Sequence, residues 1–312
     1  MALGGVFLQL ILEQIVKACR PWCATGKVAN YIPELGKADP MELGAVMADL
    51  NGNITCAGDY DQLFTMQSIS KVVTLSLALL ELGEDDVFSK VGMEAVADPF
   101  NSIMRLEMDN PHRPHNPFIN SGAIVIASIL PFADGDAKVD AIIDLTRQLT
   151  GNYSVGINED VYLSEKLTGD RNRALAYFLS STQGIEGDVE EILDVYFRHC
   201  SIEVTTRDLA VMGATIANDG HNPYTGEDVL SRDICRIVRA LMVTCGAYDG
   251  SGEFAVRIGM PCKSGVGGGI MASLPGIMGI GIFGPALDRS GNSLAGAKVL
   301  EMLSAEHGLR IL

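Results

Sequence analysis

Positive charge is scarce in this sequence. Its 312 residues hold 23 lysines and arginines against 39 aspartates and glutamates, a formal net charge of −16 at pH 7. Without a basic excess there is little to neutralise phosphates, so nucleic acid is not an expected partner. The same deficit argues against an anionic membrane surface. Histidine is also sparse: His112, His115, His199, His221 and His307 are all there are. None falls in an H-E-x-x-H motif. His112 and His115 flank Arg113-Pro114 and read as polar loop residues, so no metal or cofactor is expected. Seven cysteines, at 19, 23, 56, 200, 235, 245 and 262, make no C-x-x-C pair. Their odd number and irregular spacing predict free thiols in a reducing compartment, and hence a cytoplasmic protein. No serine sits in a G-x-S-x-G elbow, which removes support for a Ser-His-Asp hydrolase.

Long apolar runs are few and broken. Gly4–Ile15 is interrupted by Gln9, Glu13 and Gln14. It has no basic residue ahead of it and no small-residue cleavage site behind it. It therefore reads as an amphipathic helix and not as an export signal. Gly265–Leu287 carries no charge and is long enough to span a bilayer. Its many glycines and Pro275-Gly276 instead predict two buried strands, Gly269–Leu274 and Ile277–Phe283, joined by a turn.

What is present is a chain with 47% apolar residues, enough for a sizeable core. There is no repeat and no linker. A helix is predicted over about Phe7–Arg20. A hairpin follows, Leu43–Asp49 and Ile54–Ala57, with Asn51-Gly52 at its turn. An apolar helix is predicted from Ser68 to Leu82, ending near Gly83. Helices are then expected near 121–130, 138–150, 171–181, 189–198, 206–218 and 231–244. Strands return near 254–257, 269–274 and 277–283, and a helix covers 294–307. This order predicts an α/β (α+β) fold: a sheet built from both ends of the chain, with helices inserted between. The expected division is one domain, with a sheet subdomain of about 1–66 and 200–312 and a helical subdomain of about 67–199.

The string Gly279-Ile280-Gly281-Ile282-Phe283-Gly284 matches the dinucleotide fingerprint G-x-G-x-x-G. Pro285 follows it and Ser290-Gly291-Asn292 stops any helix, so the glycines read as close packing of a buried strand. Ser68-Ile69-Ser70-Lys71 is more informative. A lysine that enters an apolar helix is poorly explained as solvated charge. Residues i and i+3 share a helix face, so Ser68 Oγ and Lys71 Nζ are expected to meet. Burial lowers a lysine pKa toward that of a neutral base. This is an activated serine without histidine. Far downstream, Lys263-Ser264-Gly265-Val266-Gly267-Gly268-Gly269 places a basic residue, a hydroxyl and open backbone N–H groups at a strand edge. S-x-x-K early and K-[ST]-G late is the order of the serine β-lactamase and penicillin-binding fold.

With these strings on hand, the sequence resembles the bacterial-type glutaminases from about Val28 to Leu303. The resemblance also rests on Gly26–Pro33, Gln67–Val72, Pro99–Ser102, Asn116–Ala123, Ser164-Glu165, Arg171–Ala174, Tyr196-Phe197, Ala217–Gly220 and Gly252–Phe254. It implies a β-lactamase/transpeptidase-like fold, an antiparallel sheet flanked by helices plus an inserted helical subdomain. It further implies hydrolysis of L-glutamine to L-glutamate and ammonia, without a cofactor, by a homodimer or homotetramer. Ser68 matches the nucleophile, Lys71 its base, Tyr196 a tyrosine that contacts substrate and passes a proton, and Lys263 the strand-motif lysine. Asn120, Glu165, Asn172, Tyr248 and Val266 match substrate contacts, Val266 through its backbone. Ser68 and Tyr196 count among those contacts too. Ser-Asp-Asn is absent, and Tyr196 would take over from that serine. The alternatives are a β-lactam hydrolase on the same fold, which the absent triplet and export signal oppose, and a sensor that acylates without turnover. Which of Tyr196, Lys71 and Lys263 protonates the ammonia is left open by the residues alone.

Overall fold

Residues 5–96, 99, 101–108 and 111–312 are described by the computed structural model. Gly4 of the first apolar run and Phe100 of the Pro99–Ser102 string lie outside them.

The chain begins with α1 (Gly5–Cys19) and a hairpin of β1 (Gly44–Asp49) and β2 (Ile54–Gly58). Short β3 (Phe64–Thr65) leads to a 3₁₀ turn, Gln67–Ile69, and to α2 (Ser70–Leu82). Then come α3 (Glu84–Lys90), α4 (Met104–Met108), α5 (Asn120–Ile129) and α6 (Gly135–Thr150). Next are β4 (Gly156–Ile157), α7 (Glu159–Thr168), α8 (Asp170–Ser181), α9 (Val189–Cys200) and β5 (Ile202–Val204). The last third holds α10 (Thr206–Ala217), α11 (Arg232–Cys245), α12 (Ser251–Arg257), β6 (Cys262–Ser264), β7 (Gly269–Leu274), β8 (Met278–Phe283) and α13 (Leu294–His307).

The main sheet is antiparallel, in the order β2-β1-β8-β7-β6. β1 from the start of the chain pairs with β8 from near its end, Gly44 opposite Phe283 and Asp49 opposite Met278. The sheet is thus built from both ends, as expected, and a small sheet β3-β5-β4 lies apart from it.

Both faces of the sheet are covered, and the strand sequences say why. Every residue of β7 and β8 is buried. Such strands read as continuous apolar runs and not as alternation. One face presents Ile270, Ala272, Ile280 and Ile282 to Leu12 and Ile15 of α1 and to Val299 and Leu300 of α13. The other presents Val46 and Ala48 to Ala210, Val211 and Ala214 of α10. A Cβ on Gly279 would lie 2.1 Å from Ala210 O and from Ala214 N. Only a glycine lets this helix come so near, so the G-x-G-x-x-G string serves packing.

Helices α2 to α6 and α8 to α11 contribute buried residues to the largest apolar cluster, Tyr162 of α7 packs against it, and Met271 and Phe283 reach it from the sheet. No helix among the described residues is long and apolar enough to cross a membrane.

Two expectations are corrected. Residues 254–257 are not a strand but the end of α12. Phe254 and Ile258, four apart, are buried while Val256 is 87% exposed, which is helical and not alternate spacing. The Ser68 helix begins two residues late, after a turn set by Gln67 at φ +49. Helix α7 is an element the sequence pattern does not predict, although Asn158 caps it by accepting from Val161 N and Glu159 and Asp160 fill its first turn.

Candidate active site

Ser68 lies within the 3₁₀ turn that precedes α2 and is 7% exposed. Lys71, in the first turn of α2, is fully buried. Burial holds its pKa down, to about 8, so it sheds a proton far more readily than a surface lysine. Its Nζ donates to Asn120 Oδ1 at 2.7 Å and to Phe118 O at 3.2 Å. These contacts reach across to the start of α5.

Asn120 continues the network: its Nδ2 donates to Asn172 Oδ1, at the start of α8, at 2.9 Å. Glu165 projects from α7 and is 5% exposed. Burial pushes its carboxyl up to about 8, against the smaller opposing effects of Gln67 and Lys71. Its Oε2 is buried without a hydrogen-bond partner. A carboxyl with one oxygen left unpartnered in this way is a place for a cationic group of a ligand, because ionising it in the interior without a nearby cation is costly.

Tyr196 on α9 is buried, its ring centroid 6.0 Å from Lys71 Nζ. Burial, then Cys200 and Glu165, raise its phenol far above the usual range. Tyr248 opens a 3₁₀ turn with φ +57. Its hydroxyl lies beside Ser68 and the Val266 N–H, both of which lower a pKa that burial raises. Val266 itself is 5% exposed, directly after the Lys263 strand. Lys263 is fully buried behind Tyr248, with Nζ 4.7 Å from that ring and donating to Gly246 O at 3.1 Å and Ser264 O at 2.6 Å. Burial first, and then Lys71, push its pKa well below that of an ordinary lysine. A Cβ on Gly265 would lie 2.4 Å from Met66 O, so this glycine lets the Lys263 strand lie against the Ser68 turn.

These residues surround a small cavity of about 70 Å³. Ser68, Asn120, Glu165, Asn172 and Tyr196 line it. Lys71, Tyr248, Lys263 and Val266 stand behind that lining. Tyr31, Gln67, Asn101, Arg171 and Cys200 line it as well. None of these five is assigned a role by the sequence. The first four lie within the motif strings, where each is legible as a motif residue. Cys200 has no signal beyond being a cysteine at the end of an amphipathic helix. Among the described residues no group of three or more His, Cys, Asp or Glu is placed to hold a metal ion.

Whole-chain comparisons identify the family. The family model described as Glutaminase matches residues 26–312. The glutaminase of Clostridium tetani is 53% identical over 304 residues, 97% of this chain and 99% of the relative. Glutaminase 2 of Clostridium perfringens is 55% identical over 300 residues, 96% of this chain and 98% of the relative. Among solved structures, the probable glutaminase of Bacillus subtilis complexed with 6-diazo-5-oxo-L-norleucine superposes with a TM-score of 0.90 at 41% identity, covering 97% of each chain. A covalent complex of the Bacillus subtilis glutaminase YbgJ with 5-oxo-L-norleucine, formed by reaction with 6-diazo-5-oxo-L-norleucine, superposes with a TM-score of 0.88 at 40% identity, over 97% of this chain and 99% of that one. The sheet of both chain ends and the helices on its faces are therefore the β-lactamase-like architecture of these relatives, and this chain belongs to the glutaminase family.

Proposed function

We propose that this chain hydrolyses the side-chain amide of L-glutamine to L-glutamate and ammonia through an acyl-enzyme on Ser68. The observation that carries the reading is Lys71: fully buried, one turn beyond Ser68, with its pKa lowered to about 8. Such a lysine is a base near neutral pH. Ser68 Oγ attacks the amide carbon as its proton passes to neutral Lys71 Nζ, with Tyr248 beside Ser68 as a relay. The carbonyl oxygen takes the negative charge, held by the N–H groups of Ser68 and Val266, commonly worth about 3–4 kcal/mol per donor. Tyr196 gives its phenolic proton to the amide nitrogen as the C–N bond breaks and ammonia leaves, and recovers a proton from Lys71. Water then attacks the ester and releases glutamate and Ser68.

Recognition follows from charge. Glu165 receives the α-ammonium, which supplies the partner that Oε2 lacks. Asn120, Asn172 and Tyr248 provide donors for the α-carboxylate. Lys263 supports Tyr248 from behind. The covalent Bacillus subtilis complex supports this reading, because 6-diazo-5-oxo-L-norleucine, a glutamine-like inhibitor, reacts with that protein. The division of a single domain into a sheet subdomain (about 1–66 and 200–312) and a helical one (about 67–199) is proposed from the order of elements, with Leu209, Met212 and Leu241 of the sheet part packing into the helical cluster. A cytoplasmic location is supported by seven unpaired thiols. A homodimer or homotetramer is proposed from the family resemblance.

The test is ammonia release from L-glutamine. Ser68→Ala is expected to lose activity by at least about 10³-fold, and 6-diazo-5-oxo-L-norleucine is expected to add covalently to Ser68 in the wild type. Full activity of Ser68→Ala would overturn the mechanism.

A further inference from the structure

Beneath the nucleophile lies a polar pair that the mechanism does not use. Ser70 Oγ is 2.7 Å from Gln67 O and 2.8 Å from His199 Nδ1. Both residues are fully buried and neither lines the cavity. A carbonyl only accepts, so the single Ser70 hydroxyl proton goes to Gln67 O. His199 Nδ1 must then carry a proton and donate it to Ser70 Oγ, which leaves Nε2 bare, and Nε2 indeed has no hydrogen-bond partner. The ring is neutral, because burial pushes its pKa down to about 3.

The carbonyl held in this way belongs to a strained residue. Gln67 is a buried, non-glycine residue at φ +49, immediately before Ser68. Such a conformation persists where its surroundings over-determine it. The Ser70 N–H also donates to Gln67 O. The other end of the link is Tyr196, three residues before His199 on α9, whose ring meets the imidazole edge-to-face at a centroid distance of 5.3 Å. One short chain of contacts thus runs from the Ser68 turn through Ser70 and His199 to the Tyr196 ring.

We propose that His199, acting through Ser70, is a positioning residue that holds the Gln67–Ser68 turn and sets the place of Ser68 relative to Tyr196. It touches neither substrate nor the reacting atoms. The inference rests on Ser68 being the nucleophile.

Ser70→Ala, which removes one buried oxygen, is expected to lower kcat for L-glutamine about tenfold while KM changes less than about twofold. The rate of covalent labelling by 6-diazo-5-oxo-L-norleucine is expected to fall in step. His199→Leu is expected to do the same, and the double variant to be no worse than the poorer single one, since both cut one link. His199→Asn, whose amide N–H can stand in for Nδ1–H, is expected to keep kcat within about threefold. If His199→Leu does not fold, Ser70→Ala and His199→Asn decide the matter. A folded Ser70→Ala with wild-type kcat overturns the inference, as does a folded His199→Asn that has lost about tenfold or more. An active Ser68→Ala would break the underlying mechanism. An inactive Ser68→Ala beside a fully active Ser70→Ala would break the positioning role alone.

Discussion

At the scale of single residues, this site is made of ionisable groups held where water cannot reach. Lys71 and Glu165 are both drawn toward a pKa of about 8, from opposite sides and by the same burial. The signs lead to separate expectations. Lys71 works as a base only when neutral, so kcat is expected to rise with pH up to about 8 and then level, as read from a pH–rate profile. Glu165 binds an ammonium only when ionised, so L-glutamate binding below about pH 8 is expected to release a proton. Calorimetry in buffers of different ionisation enthalpy reads that release. Folding responds in the opposite sense. Because the folded carboxyl keeps a proton that the unfolded chain has lost above about 4.5, the contribution of Glu165 to stability is present at low pH and lost as pH rises through about 8. Glu165→Gln is therefore expected to raise Tm by about 3 °C or more at about pH 9 while weakening substrate binding. An unchanged Tm would show that the carboxylate is better solvated than its burial implies.

The residue types of this site are legible in the sequence, but their partners are not. Ser68-x-x-Lys71 predicts a contact within one helix. The structure adds Asn120, 49 residues away, as a partner of Lys71 and puts Gln67, just before Ser68, at φ +49. A left-handed glutamine carries no sequence mark as a glycine would. Tyr248 is assigned by sequence to substrate alone, yet its hydroxyl stands beside Ser68 and Val266, which come from separate elements.

At the scale of elements, close approach between backbones decides most of the arrangement. β8 meets α10 with no side chain between them at Gly279. Gly279→Ala would press a methyl group into Ala210 O and Ala214 N, in a helix that is itself tied down by the Thr205–Asp208 capping box. A loss on the order of 1–3 kcal/mol is expected, read as a lower urea midpoint with an unchanged m-value. The strands that carry this packing are readable in the sequence because their apolar runs are long and bounded by Pro275-Gly276. The short elements are not. α12 has two turns, too few for its spacing to stand out from strand alternation, and α7 is polar enough that its cap is its main signal.

At the scale of the whole molecule, the site is a junction. Ser68, Lys71, Asn120, Glu165 and Tyr196 come from the helical part, while Tyr248, Lys263 and Val266 belong to the last third of the chain. The two large cores also interlock, since Met271 and Phe283 of the sheet enter the helical cluster. Unfolding is therefore expected to be a single thermal transition. L-Glutamate at about 100 times its Kd should stabilise the fold by about 2.7 kcal/mol and raise the midpoint. The same addition is expected to leave the Glu165→Gln protein unmoved, as differential scanning calorimetry would record. Two separate transitions would mean that the cores fold independently.

The sequence by itself determined the acidic balance, the buried strands, the order of the long elements and the Ser68-x-x-Lys71 and Lys263 motifs. These follow from local composition and from short motifs, where neighbours in the chain are neighbours in space. Only the tertiary structure decided that Lys71 faces Asn120, that one Glu165 oxygen is buried without a hydrogen-bond partner, and that Ser70 and His199 meet beside the Ser68 turn. Burial makes the difference: a side chain's charge state and partner depend on what the fold packs around it, and residues far apart in the chain supply that packing.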